Sequence, residues 1–113
     1  MTKPSSRSAV KSVLIEKLSG HSFKLLLYAL KSGGVKVSDA RLLGMGYSTF
    51  YRNLIPLIEL GLLREAKVVG SKKIYMLTNL GKDVALKLKE IDGLLVSYLK
   101  SMKMDVGEVE RSL

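Results

Sequence analysis

The residues best placed to do chemistry lie between Tyr47 and Leu63, in the run Tyr-Ser-Thr-Phe-Tyr-Arg-Asn-Leu-Ile-Pro-Leu-Ile-Glu-Leu-Gly-Leu-Leu. Ser48, Thr49, Tyr51, Arg52 and Asn53 bring hydroxyls, a guanidinium and a carboxamide close together in sequence. The set suits recognition rather than bond breaking. A guanidinium can grip a guanine O6/N7 pair or a phosphate; hydroxyls and amides donate to phosphates or base edges; a tyrosine adds a phosphate or thymine-methyl contact. No reaction centre accompanies them. The acids are scattered, no paired carboxylates or Ser-His-Asp pattern occurs, and Gly44-Met45-Gly46 lacks the Lys and spacing of a phosphate loop. Cys is absent and His21 is the single His, which excludes thiolate chemistry and Cys- or His-cluster metal sites. We therefore expect neither an enzyme nor a bound cofactor.

These groups need a scaffold, and the same stretch supplies one. Ser48 is predicted to cap a helix beginning at Thr49, and Gly61 to end it in the left-handed conformation. Phe50, Leu54, Leu57 and Ile58 then form one apolar face. Ser48, Arg52 and Ile55 form the opposite face, with Thr49 and Tyr51 at its edges. Pro56 lies inside this helix. An interior proline removes one hydrogen bond and presses on the carbonyl four residues back, here that of Arg52, at a cost of ~3 kcal/mol. A kink near Arg52–Pro56 is expected, dividing a contacting half (48–55) from a packing half (57–60).

Charge points to the partner. Nineteen Lys and Arg against ten Asp and Glu give +9 in 113 residues, which favours a polyanion: nucleic acid first, an anionic membrane surface second. No apolar run reaches signal-peptide or membrane-span length, so a cytoplasmic, nucleoid-associated protein without membrane insertion is expected. A hydrophobic content of 47% is enough for one core.

In chain order, residues 1–7 form a flexible basic arm and residues 8–104 a single domain. Ser8 to Leu18 reads as a short amphipathic helix containing Val10 and Leu14, broken at Ser19-Gly20-His21. Ser22 is predicted to cap a core helix, Phe23 to Lys31, with Phe23, Leu26, Leu27 and Leu30 inward. Val35-Lys36-Val37 is a short strand at most. Ser38 is predicted to cap another short helix, Asp39 to about Leu43, that carries Arg41. A helix, a Gly-containing turn and a second helix make a helix-turn-helix. Leu62 to Val69 and Lys73 to Leu77 are two strands joined at Gly70-Ser71, a hairpin whose tip carries Lys67, Lys72 and Lys73. Thr78 caps the last helix. Its Val84, Leu88, Ile91, Leu95, Tyr98 and Met102 are spaced 4, 3, 4, 3 and 4 apart, and Leu80, Leu94 and Leu99 widen the seam. One small domain cannot easily hide so long a stripe, so a second copy is expected to cover part of it. Asp105, Glu108 and Glu110 against Arg111 mark residues 105–113 as an acidic tail.

This order resembles a winged helix-turn-helix domain of the MarR/ArsR type of transcription regulators. Ser48-Thr49-Phe50-Tyr51-Arg52-Asn53-Leu54, on through Leu57 to Gly61-Leu62, resembles their recognition helix and its exit into the wing. Lys73-Ile74-Tyr75-Met76-Leu77-Thr78-Asn79-Leu80-Gly81 resembles the exit from the wing. The likeness spans roughly residues 22–90. The flanking helices are similar in placement to the dimerisation helices of small archaeal MarR-like regulators and of coiled-coil chromatin proteins. Lacking Cys, the chain departs from the thiolate metal sensors of the ArsR type. The resemblance implies an α+β, mainly α fold: a winged helix-turn-helix with a two-stranded wing and flanking N- and C-terminal dimerisation helices.

The function expected is sequence-specific double-stranded DNA binding by a homodimeric transcription regulator. The recognition helix (Ser48, Thr49, Tyr51, Arg52, Asn53) enters the major groove. Arg41 meets the backbone, and Lys67, Lys72 and Lys73 meet phosphate or the minor groove. Val84, Leu88, Ile91, Leu95, Tyr98 and Met102, with Val10 and Leu14, join the two copies. The alternatives are a low-specificity nucleoid or chromatin protein, and a winged helix used for protein or RNA contacts. The sequence singles out no small-molecule effector.

Overall fold

The computed structural model describes residues 10–67 and 72–102, except for the side chain of Lys67. The basic arm, the acidic tail and the Gly70-Ser71 turn lie outside the described residues. Among the described residues four α-helices and a two-stranded antiparallel sheet follow one another: α1 Val13–Lys17, α2 Gly20–Ser32, α3 Tyr47–Glu59, β1 Leu63–Lys67, β2 Lys73–Leu77 and α4 Asn79–Ser101, with a 3-10 turn at Val37–Ala40 between α2 and α3. The mainly helical, winged architecture is the expected one.

Several boundaries differ from the sequence expectation, for local reasons. α1 is only five residues long, because Ser12 caps it by accepting from the amide of Ile15. Ser19, not Ser22, caps α2. The Ser19 hydroxyl accepts from the Ser22 amide while the Ser22 hydroxyl accepts from the Ser19 amide, a reciprocal capping box that draws His21 into the first turn. The buried face of α2 is accordingly Ser22, Leu25, Leu26 and Ala29. The expected stripe of Phe23, Leu26, Leu27 and Leu30 is rotated by one position, and of these only Leu26 is fully buried.

The helix predicted over Asp39 to Leu43 is instead the 3-10 turn Val37–Ala40. Its entry is fixed by the Lys36 amide donating to the Asp39 carboxylate at 2.8 Å, so Asp39 does the capping that Ser38 was expected to do. Val35 forms no strand of its own but makes one bridge to Tyr75, with 2.8 Å hydrogen bonds in both directions. That bridge ties the wing to the end of α2.

Two glycines are required by their surroundings. Gly61 has φ 77° just beyond α3, where a side chain would be strained. Gly81 is buried in the first turn of α4, and a Cβ there would run into the Leu62 carbonyl. The Thr78 hydroxyl donates to the Gly61 carbonyl and accepts from the Gly81 amide at 3.0 Å, joining the exit of α3 to the start of α4. Around these joints lies one core: Leu25 and Leu26 of α2, Phe50, Leu54 and Leu57 of α3, Leu62, Leu63 and Tyr75 of the wing, and Ala85 of α4.

Candidate nucleic-acid interface

α3 is the element that holds most of the expected contact residues, and it begins earlier than expected. Gly46, in extended backbone, is its N-cap, and no side chain caps it. Ser48 therefore sits within the first turn rather than before it, with its side chain exposed. Among the described residues the first-turn amides have no side-chain partner, and they mark the positive end of a 13-residue helix. Tyr47, which the misplaced cap had put outside the helix, is its first residue and is exposed. Arg41, exposed, lies beside it: Arg41, Met45, Gly46 and Tyr47 line one shallow depression at this helix end.

The inward face of α3 is Phe50, Leu54 and Leu57. Ile58, expected among them, is instead exposed. Ser48, Tyr51, Arg52, Ile55 and Glu59 are exposed and Thr49 is half-buried. The Tyr51 and buried Phe50 rings meet edge to face, with centroids 5.3 Å apart at 89°. Helix α3 is continuous through Pro56 to Glu59, so the proline does not shorten it.

Asn53 is placed differently from its neighbours. Its Oδ1 accepts from the Ser19 hydroxyl at 2.6 Å and from the Ser22 hydroxyl at 3.3 Å, and its Nδ2 donates to the Thr49 carbonyl at 2.8 Å. All three contacts lie within the molecule. Asn53 thus ties α3 to the capping box of α2. Ser22, 1% exposed, is the buried polar residue this arrangement satisfies.

The wing faces α3 across a cleft of about 330 Å³ lined by Val37, Tyr51, Lys72, Lys73 and Tyr75. Strand register explains who meets there. Glu65 pairs with Tyr75 and Lys67 with Lys73, so Glu65, Lys73 and Tyr75 share one face of the hairpin. Lys73 Nζ lies 3.4 Å from Glu65 Oε2, both half exposed. Burial pushes the Tyr75 phenol up from its ordinary value; Glu65 and Tyr51 add to the rise and Lys73 opposes it. Lys72 and Lys36 are exposed nearby in sequence to these groups. Sequence reasoning missed Tyr47 and Tyr75: the first through the misplaced cap, the second because its bridge to Val35 cannot be seen in one dimension.

The expected dimerisation residues divide into two groups. Val84 and Leu88 are half-buried and pack against the chain's own core. Ile91 (54%), Leu95 (61%), Tyr98 (61%) and Met102 (56%) stay exposed, as do Leu94 on α4 and Val10 and Leu14 near α1. Among the described residues no helix is long and apolar enough to cross a membrane.

No protein-family model and no curated protein matches the chain. Solved structures do. The structure of ZitR from Lactococcus lactis, solved as a point mutant, superposes with a TM-score of 0.72 at 18% identity, covering 88% of this chain and 71% of that one. MepR, a transcription regulator of the Staphylococcus aureus multidrug efflux pump MepA, gives 0.69 at 18% identity, covering 88% and 76%. The adhesin competence repressor AdcR of Streptococcus pyogenes gives 0.67 at 18% identity, covering 95% and 80%. At such identities the likeness is one of fold, and with the element order and wing register above it means that the chain has a winged helix-turn-helix fold.

Proposed function

We propose that this protein is a double-stranded DNA-binding transcription regulator that acts as a homodimer. The observation that carries the reading is that the exposed face of α3 and the basic wing border one cleft, with Tyr51 on one wall and Lys72 and Lys73 on the other. In a chain of net charge +9, such a face fits a duplex: the helix in the major groove, the wing along phosphate or into the minor groove. The transcription regulators and repressors among the similar folds support it.

In this reading Arg52 contacts a guanine edge or a phosphate, and Ser48, Thr49 and Tyr51 contact phosphates or base edges. The uncapped start of α3, with Arg41 beside it, receives a backbone phosphate, because free amides and the helix dipole both favour an anion there. Lys67, Lys72 and Lys73 contact the backbone. Asn53 serves the interface from inside, by holding α3 on α2, and is replaced in the contacting set by Tyr47. The homodimer forms through Ile91, Leu95 and Tyr98 of α4 and Met102 at its end, with Val10 and Leu14, while Val84 and Leu88 anchor α4 to its own domain. A two-fold dimer then meets half-sites about one helical turn, ~34 Å, apart.

Selection from a random duplex library, followed by titration of the enriched site, tests this reading. Arg52→Ala should cost about 1–3 kcal/mol on the enriched site and relax preference at one base pair, whereas Lys72→Ala should weaken all sequences alike. Arg52→Ala binding as tightly as the parent would remove α3 from the groove. Failure to enrich any sequence, with binding intact, would make the protein a low-specificity nucleoid component.

A further inference from the structure

The chain has nearly twice as many basic as acidic residues, yet among the described residues one ion pair forms, Lys73 with Glu65. Its position matters more than its strength. Lys73 lines the cleft shared with Tyr51, and Glu65 lies on the same face of the hairpin, diagonally across the register from it. Tyr51, Lys72 and Lys73 line the cleft, and Glu65, which does not, pairs with one of those two lysines. Among the described residues no acid pairs with Lys72, the sequence neighbour of Lys73.

We propose that Glu65 is an internal competitor for DNA phosphate: it holds Lys73 in the free protein and gives it up when a backbone phosphate enters the cleft between Tyr51 and the wing. The proposal rests on the DNA-binding reading above and adds a regulating residue to it. Binding at this point is a partner exchange rather than a simple gain. Lys73 leaves a carboxylate for a phosphate, and the freed carboxylate either takes up a cation from solution or sits unpaired beside DNA. Either outcome lowers affinity for any duplex, and cation uptake also makes binding less steeply salt-dependent than the count of lysines suggests, since it offsets one released counterion. Weak, sequence-independent binding, which leans on phosphate contacts alone, is penalised most in proportion.

Fluorescence-anisotropy titration of a labelled random-sequence 20-base-pair duplex over a range of salt tests this with the parent, Glu65→Gln, Lys73→Met and the double variant. Both side chains are half exposed, so each variant should keep the parent's circular dichroism. Glu65→Gln should tighten binding about two- to fivefold at low salt, the range set by an exposed ion pair. It should also steepen the log–log salt slope by up to about one. In the Lys73→Met background the same change should have less than half that effect. Two results overturn the proposal while leaving the DNA reading intact: Glu65→Gln binding like the parent, or an equal gain with and without Lys73, which would make Glu65 a source of repulsion and not a competitor. A parent protein that fails to bind duplex at low salt overturns the DNA reading and this inference together.

Discussion

Helices α3 and α4 both carry an apolar stripe, and the stripes have different fates. On α3 the stripe is short and used in all but its last member: Phe50, Leu54 and Leu57 are buried, each contributing on the order of 1.5–3 kcal/mol of transfer free energy, and Ile58 alone stays exposed. On α4 the stripe is used only at its start. Ala85 is buried and Val84 and Leu88 are half-buried against the core, but Ile91, Leu94, Leu95, Tyr98 and Met102 are exposed. The reason is length. A 23-residue helix is about 35 Å long, and the elements it packs on are the 13-residue α2 and a hairpin of two five-residue strands. Past Leu88 none of the described residues of α4 packs against the core. A polar outer face on a buried helix and an apolar outer face on an unburied one make different demands: the first fits water or DNA, and the second fits another apolar surface.

That contrast can be broken at either helix. The largest effect is expected at α4. Leu95→Lys should convert a species of twice the 12.4 kDa chain mass into one of single mass in light scattering, while circular dichroism stays helical, because Leu95 adds little to its own domain's core. A parent already of single mass would show that no second copy covers α4.

A smaller effect is expected at Asn53. Asn53→Ala leaves the hydroxyls of Ser19 and buried Ser22 without their acceptor, and the cost is about 1–3 kcal/mol of stability. In a domain of this size that lowers the melting temperature by roughly 4–8 °C per kcal/mol. Calorimetry separates the two roles open to Asn53. Lost stability places it inside the scaffold, and an unchanged melting curve with weakened DNA binding would return it to the contact surface.

Much of this was legible in one dimension, and the misses share a cause. The element order, the wing strands, the inward face of Phe50, Leu54 and Leu57, and the stop at Gly61 all follow from period and punctuation. The misses cluster at serines. Ser22 was expected as a cap and is a buried member of α2; Ser48 was expected as a cap and lies in the first turn of α3. Serine suits a cap, a third helical position or a buried site equally, provided a partner takes its proton. For Ser22 one such partner is Asn53, 31 residues away, which no local pattern contains. The seam on α4 was legible as a seam, but spacing cannot tell which half meets its own domain. Only the length of the neighbouring elements decides that, and it divides the seam between Leu88 and Ile91.

The salt dependence of duplex binding tests the central claim most directly. A dimer that sets α3 and the wing against DNA through about six phosphates should give a log–log slope near −5. A flat response, with affinity the same at low and high salt, would contradict the account whatever the affinity.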